Sequence, residues 1–332
     1  MKKKNVLVTG GAGYIGSHTV KQLIKGNYNI IIIDNLQEGH IESIPKNIKF
    51  VKGDLADKEL LNKVMRDYKI GSVIHFAANC LVPESVKEPI KYFDNNIINS
   101  LNLLKAMLEN NIKKIVFSST CAVYGELKKT PIKEDDPRVP TNPYGLSKLM
   151  FENILEVCDK AYNLRYVSLR YFNAAGADIS GEIGEDHDPE THLIPLIMQA
   201  ALGKRENIQI FGTDYETKDG TCIRDYIHVT DLADAHILAL KWLAKGKESR
   251  VFNLGNGNGF SVKEIVDLSR KITGKDIPIV EASRREGDPA RLVASSDKIK
   301  KELKWNPRYD IKKIIETAWN WHKKCPDGFS KN

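Results

Sequence analysis

The sequence has no Cys-x-x-Cys pair, no long basic run, no internal repeat and no apolar stretch of membrane-spanning length. Each absence excludes something. Five cysteines, Cys80, Cys121, Cys158, Cys222 and Cys325, are odd in number and widely spaced, so they read as reduced thiols of a cytoplasmic protein and not as a disulfide framework. Met1-Lys2-Lys3-Lys4 opens like a secretory signal, but only Val6-Leu7-Val8 follows before glycines, and no leader is expected. The net charge of +7 arises from 50 Lys and Arg against 43 Asp and Glu scattered over 332 residues. Without basic–aromatic interleaving it indicates solvated helix faces, with no nucleic acid and no membrane among the expected partners. A hydrophobic fraction of 42% at this length allows a sizeable core, in one large or two ordinary domains.

What is present starts with Val6-Leu7-Val8-Thr9, an apolar run that stops at Gly10-Gly11-Ala12-Gly13-Tyr14-Ile15-Gly16. A helical stripe follows (Val20, Leu23, Ile24), then the strand Ile30-Ile31-Ile32-Ile33 ending at Asp34. This is a βαβ unit with glycines at its first turn and an acid closing its second strand, the pattern of a dinucleotide site. The glycines let backbone approach a pyrophosphate lying on the helix N-terminus. Asp34 is placed to accept from a ribose hydroxyl, and no Arg follows it in Asn35-Leu36-Gln37, which favours NAD over NADP. Further on, Asp54 of Gly53-Asp54-Leu55 is placed for the adenine end. Ala77 and Ala78 after Phe76 are small enough for a cofactor to lie against. Strands continue to alternate with helical patterns, which argues a parallel sheet covered on both faces. His75, inside an apolar strand, reads as a core histidine.

The chemistry is expected in Pro143-Tyr144-Gly145-Leu146-Ser147-Lys148, the first turn of a helix. Tyr144 and Lys148 are four apart and share a face. A phenol of pKa ~10 is a poor base at neutral pH, and an ammonium beside it favours the phenolate. Two other pairs have the same spacing. In Tyr124/Lys128, Tyr124 is followed at once by Gly125, which disfavours a helix there, and Tyr309/Lys313 lies in a Lys-rich segment with no apolar strand end near it; Tyr144 opens a helical pattern after a strand ending in hydroxyls, Ile115-Val116-Phe117-Ser118-Ser119-Thr120. After Asn173 the pattern loosens into a loop rich in Gly and acids, and a smaller second domain is expected beyond it. Asp186, His187, Asp188, Glu190 and His192 in that loop match no zinc or calcium spacing, so no metal is expected.

With these segments the chain resembles the extended short-chain dehydrogenase/reductase family over almost its whole length. The matching stretches are Thr9 to His18, Asp34-Asn35-Leu36, Asp94-Asn95-Asn96, Tyr144 to Lys148, Leu169-Arg170-Tyr171-Phe172-Asn173, Arg224-Asp225-Tyr226-Ile227-His228-Val229 and Arg284-Arg285-Glu286-Gly287-Asp288. The resemblance implies a Rossmann-like doubly wound α/β domain over 1–175 and a smaller UDP-sugar-binding α/β domain over 176–332, interleaved with the first. It implies NAD-dependent epimerisation at C4 of UDP-galactose and UDP-glucose through a transient 4-keto sugar, with Tyr144, Lys148 and Thr120 catalytic. NAD would be held by Gly10, Gly13, Tyr14, Ile15, Gly16, Asp34, Asn35, Asp54, Leu55, Phe76, Ala77, Ala78, Asn95, Ser118, Tyr144, Lys148, Tyr171 and Phe172. The UDP-sugar would meet Thr120, Tyr144, Asn173, Leu193, Phe211, Arg224, Tyr226, Arg285, Asp288 and Leu292, the last where relatives carry a residue that gates N-acetylated sugars. Related dehydratases carry Asp-Glu after the strand-end Thr, where this chain has Cys121-Ala122. A non-catalytic NAD-binding relative would commonly lack the Tyr/Lys pair. Departures from the family pattern are Cys80, Pro83 and His192, the last standing where Asn is frequent. The stripe Phe93/Ile97/Leu101/Leu104/Leu108 and the helix after Lys148 look too apolar to cover a sheet alone. Family members pair through these two helices, implying a homodimer.

Overall fold

The computed structural model describes residues 5–127, 129–285 and 288–329; Met1 to Lys4, Lys128 and the Glu286-Gly287 part of the arginine motif lie outside the described residues. In chain order the elements are β1 (Asn5–Thr9), α1 (Tyr14–Lys25), β2 (Asn29–Asp34), β3 (Lys49–Lys52), α2 (Lys58–Asp67) and β4 (Ser72–His75). Then come α3 (Val82–Lys87), α4 (Pro89–Phe93), α5 (Asn99–Glu109), β5 (Lys114–Thr120), α6 (Pro143–Tyr162), β6 (Arg165–Tyr171) and β7 (Asn173–Ala175). The chain continues with α7 (Leu193–Ala201), β8 (Ile208–Phe211), β9 (Ile223–His228), α8 (Val229–Ala244), β10 (Arg250–Leu254) and β11 (Gly259–Ser261). It closes with α9 (Val262–Thr273), β12 (Ile279–Ala282), β13 (Arg291–Leu292), α10 (Asp297–Leu303) and α11 (Ile311–Lys324).

These elements gather into two compact units, one of residues 1–125, 137–170 and 233–252, the other of 126–136, 171–232 and 253–332. In the first, a seven-stranded Rossmann-like sheet has the order β10-β6-β5-β4-β1-β2-β3. The strand order reverses beside β1, which continues to β2 on one side and β4 on the other, both in parallel register. Such a switch point opens a crevice at the carboxyl ends of the strands, where α/β proteins bind ligands. The strands carry Val, Ile and Leu at successive positions because both faces are covered: Val6, Leu7, Val8, Ile32 and Ile33 are all buried. In the second unit β9 lies between β11 and β13 and also pairs β7, while β8 pairs β12. The apolar core of this unit is built around Ile197, Met198, Ile265, Ile314 and Ile315.

Helix ends follow local chemistry. Asn142 caps α6 by accepting from the Gly145 N–H at 2.8 Å, with Pro143 at the first turn, and Asn163 closes it at φ 54°. Ser261 and Glu264 form a capping box on α9.

The stripe behind the expectation of a dimer packs inward. Ile97 and Leu104 are buried, and Phe93, Leu101 and Leu108, partly buried, pack against the sheet core. Exposed apolar residues of the same helical segments are others: Ile90, Ile98, Leu146, Met150 and Val157. Among the described residues no helix is long and apolar enough to cross a membrane.

Candidate functional site

The turn between β1 and α1 is shaped by contact, most tightly at Gly10 and Gly16. Gly10 has φ +71°, and a Cβ there would lie 2.5 Å from the Ala77 nitrogen; one on Gly16 would lie 2.1 Å from the Gly10 oxygen. Gly13 is the N-cap of α1 with no side-chain cap, and the first turn, which begins Tyr14-Ile15-Gly16, carries no acidic residue. A helix N-terminus whose amides are not taken by a cap or opposed by an acid favours an anion. The residues therefore fit the pyrophosphate of a dinucleotide.

Asp34 is buried at the end of β2. Its carboxylate accepts from the Ala12 and Leu36 amides, both at 2.9 Å, so it also staples the glycine turn to the strand end. Burial pushes its pKa up, opposed by those amides and by His40. Beside it Asn35 donates to Asp54 at 2.8 Å, and the Leu55 carbonyl accepts from Asn102 at 3.3 Å. Phe76 and Ala77 both donate from their amides to the Thr9 carbonyl, and Ala77 and Ala78 are half-buried. Asn95 donates to Asn79 at 3.1 Å. His75 is a core histidine, bonded to Thr9 at 2.7 Å and Ser100 at 2.9 Å, with burial lowering its pKa to about 3.

The first two turns of α6 carry Tyr144 and Lys148 towards the end of β5. A Cβ on Gly145 would meet the Ala122 oxygen at 2.5 Å, so only glycine lets the helix approach this closely. Lys148 is 3% exposed. Its ammonium donates to the Ser118 carbonyl at 3.0 Å and stands 6.0 Å from the Tyr144 ring centre. Burial lowers its pKa to about 8. Thr120, the last residue of β5, accepts from the Ala122 amide at 3.1 Å. Of the other spaced pairs, Tyr124 is wholly buried and Tyr309 stacks on His228 at 4.4 Å.

Beneath this strand end lies a network that spacing did not reveal. Glu152 on α6 accepts from Ser119 (2.5 Å) and from Arg170 on β6 (2.6 Å), and Arg170 also donates to the Tyr124 hydroxyl (2.8 Å). All four residues are buried. The sequence signal was Arg170 among the apolar residues near the end of β6. Tyr171 ends that strand, and Phe172 donates its amide to Leu254 at 3.1 Å.

In the second unit Arg224 is ion-paired to Asp288 and donates to the Pro289 carbonyl at 2.8 Å. Leu292 on β13 is the register partner of Arg224, and Asn173 on β7 that of Tyr226. Arg285 stacks on Phe211 at 3.8 Å, while Arg284 stacks on Tyr215 and bonds Asp214 at 2.7 Å. Burial raises the Tyr226 pKa, and it raises that of Asp225, next in sequence, to about 6. Leu193 packs against the core of this unit. In the loop before α7 the fold gathers Glu185, His187, Glu190 and His192, with potential ligand atoms within 4.8 Å of one another. Asp186 turns elsewhere, accepting from the Phe329 amide at 2.8 Å. Burial disfavours both imidazolium forms, but the neighbouring carboxylates outweigh it, raising the His187 pKa and taking that of His192 to about 9.

Residues 6–255 match the profile described as the NAD dependent epimerase/dehydratase family. A protein of Halalkalibacterium halodurans named UDP-glucose 4-epimerase is 56% identical over 326 residues, 98% of this chain and 97% of that one. A crystal structure of a UDP-glucose 4-epimerase is similar with a TM-score of 0.96 at 54% identity, covering 99% of this chain and 100% of the other. A second, from Bifidobacterium longum in complex with NAD+ and UDP, gives 0.94 at 41% identity over 98% and 100%.

Proposed function

This chain belongs to the NAD-dependent epimerase/dehydratase family, and on that premise we propose that it interconverts UDP-glucose and UDP-galactose by inversion at C4. The observation that carries the reading is the Tyr144/Lys148 pair, set at the end of β5 in the same unit as the glycine turn and Asp34. Bound NAD supplies the reversible acceptance of hydride from C4. Tyr144 takes the proton from the 4-hydroxyl, and Thr120 holds that hydroxyl through its own O–H. Lys148 stabilises the tyrosinate by charge and orients the nicotinamide ribose. Arg224 and Arg285 neutralise the diphosphate, helped by the planar fork of a guanidinium. Asn173, Leu193, Phe211, Tyr226 and Asp288 complete the nucleotide contacts. Anchoring the nucleotide leaves the 4-keto sugar able to turn and present its other face. Dehydration would need an acid–base pair after Thr120, and Cys121-Ala122 stand there.

The test is incubation of the purified protein with UDP-galactose and no added cofactor, followed by product analysis. UDP-glucose is expected, with NAD retained through gel filtration. Activity that depends on added NADP would contradict the role given to Asp34, whose carboxylate repels a 2′-phosphate.

The same assay with UDP-N-acetylglucosamine tests Leu292, a half-buried residue beside Arg224. Leucine is smaller than tyrosine and larger than serine, and apolar steric selection is worth only ~1–3 kcal/mol per methylene. Turnover of the N-acetylated sugar is expected at roughly 10–200-fold lower kcat/KM than UDP-glucose, extrapolated from that penalty. Leu292→Tyr should lower it selectively and Leu292→Ser raise it. An unchanged ratio in all three proteins would remove Leu292 as a gate.

The exposed residues Ile90, Ile98, Met150 and Val157 support a homodimer through this helical face. A single-chain mass by light scattering at micromolar concentration would rule it out.

A further inference from the structure

The loop between β7 and α7 holds two carboxylates and two imidazoles in a space no mechanism step uses. Glu185 and Glu190 have side chains only 3% and 5% exposed, and His187 15%. From the His187 Nδ1 to Glu185 and Glu190 the distances are 3.6 and 3.5 Å; from the His192 Nδ1 they are 2.7 and 3.6 Å. Zinc bonds of ~2.0–2.2 Å place neighbouring donors of a tetrahedron ~3.3–3.6 Å apart. With Oε2 as the Glu190 donor, both His187 edges are already at that separation, and the His192 to Glu185 edge needs to open by less than about 1 Å; the 3.6 Å from His192 runs to the other Glu190 oxygen, Oε1.

We propose that Glu185, His187, Glu190 and His192 form a closed, four-coordinate site for a divalent cation of the Zn2+ class. Two imidazoles among the donors favour zinc over calcium or magnesium, which take oxygen ligands. Two glutamates balance one divalent charge while both imidazoles stay neutral, so the loaded site carries no net charge. Four protein ligands leave no open position, so the role is structural.

The site would clamp the loop that enters α7. That loop is already fastened at neighbouring residues. A Cβ on Gly184 would meet the Trp321 ring at 2.2 Å, and Asp186 accepts from the Phe329 amide at 2.8 Å. The Glu190 carboxylate is in turn oriented by the Thr191 and His192 amides, at 2.7 and 2.8 Å, the outer-shell support a metal ligand needs. Zinc binds the neutral form of each imidazole, so its affinity should weaken as pH falls.

The experiment uses the full chain, stripped with EDTA, returned to chelator-free buffer and titrated with Zn2+ against a chromophoric chelator. One tight equivalent per chain is expected, accompanied by a rise in Tm. His192→Gln, at a half-exposed position, and Glu190→Gln should each weaken that equivalent by more than the ~10–100-fold that losing an outer-shell partner costs. They should also abolish the zinc-dependent rise in Tm. A wild-type protein with no tight equivalent overturns the proposal, whatever the variants do. So does a tight equivalent that survives in both variants, because it would then belong to other histidines or cysteines.

Discussion

Tyr144→Phe is expected to lower kcat by about 10²–10⁴, the usual share of general acid–base catalysis, with folding and NAD retention intact. The variant removes one hydroxyl and nothing that builds the helix. Asn142 still caps α6, Gly145 still permits its close approach to Ala122, and Lys148 still donates to the Ser118 carbonyl. The loss should fall on kcat more than on KM, because the proton moves only on the way to the transition state. Single-turnover measurement of hydride transfer from UDP-glucose separates this from slow product release. Turnover close to wild type would take Tyr144 out of the mechanism.

Glu152→Ala is expected to cost about 3–5 kcal/mol of stability, the range for removing one partner of a buried ion pair. Arg170, 1% exposed, would lose its carboxylate while its charge stayed in the interior. Arg138, 3.8 Å from Glu152, would lose its partner too. The effect is not only global. Ser119, which donates to Glu152, sits between Ser118 and Thr120, so the strand end that meets Lys148 should loosen and kcat should fall as well. The double variant Glu152→Leu/Arg170→Met should recover most of the stability, since apolar replacement of a buried pair is often neutral or better. Urea unfolding followed at several wavelengths, with coincidence of the transitions checked, measures both. A loss below about 1 kcal/mol in Glu152→Ala would place water where the carboxylate was.

What could be read from the chain in advance was local or backed by a strong resemblance. The β1–glycine–α1–β2 unit is contiguous over residues 5–34 and its chemistry lies in backbone needs, so apolar runs and glycines announce it. Tyr144 was separable from Tyr124 because Gly125 directly follows the latter, and from Tyr309 because no apolar strand ending in hydroxyls stands before that residue. Pairings across long sequence separation left no trace in spacing. Glu152 and Arg170 sit on different elements, and Arg224 meets Asp288 from 64 positions away. Glu185 opens the same polar run, and nothing in the spacing said that it, and not Asp186 or Asp188, would face the two histidines. The stripe Phe93/Ile97/Leu101/Leu104/Leu108 could be read from its spacing, but how deeply each residue lies could not: Ile97 and Leu104 are buried, and the other three are partly buried against the sheet core.

The return of residues 233–252 to the first unit has a consequence for synthesis. The edge strand β10 ends at Leu254, so the sheet that receives the cofactor cannot be completed until that residue has left the ribosome. At about 5–20 residues per second the stretch from Tyr171 to Leu254 takes roughly 4–17 s, during which the β6 edge has no strand to pair with. A chain stopped at residue 175 would display that edge permanently, and an exposed parallel edge is a template for aggregation. Wiring of this kind makes cofactor capture a late event in the life of the nascent chain, and it leaves no single cut that would release either unit whole.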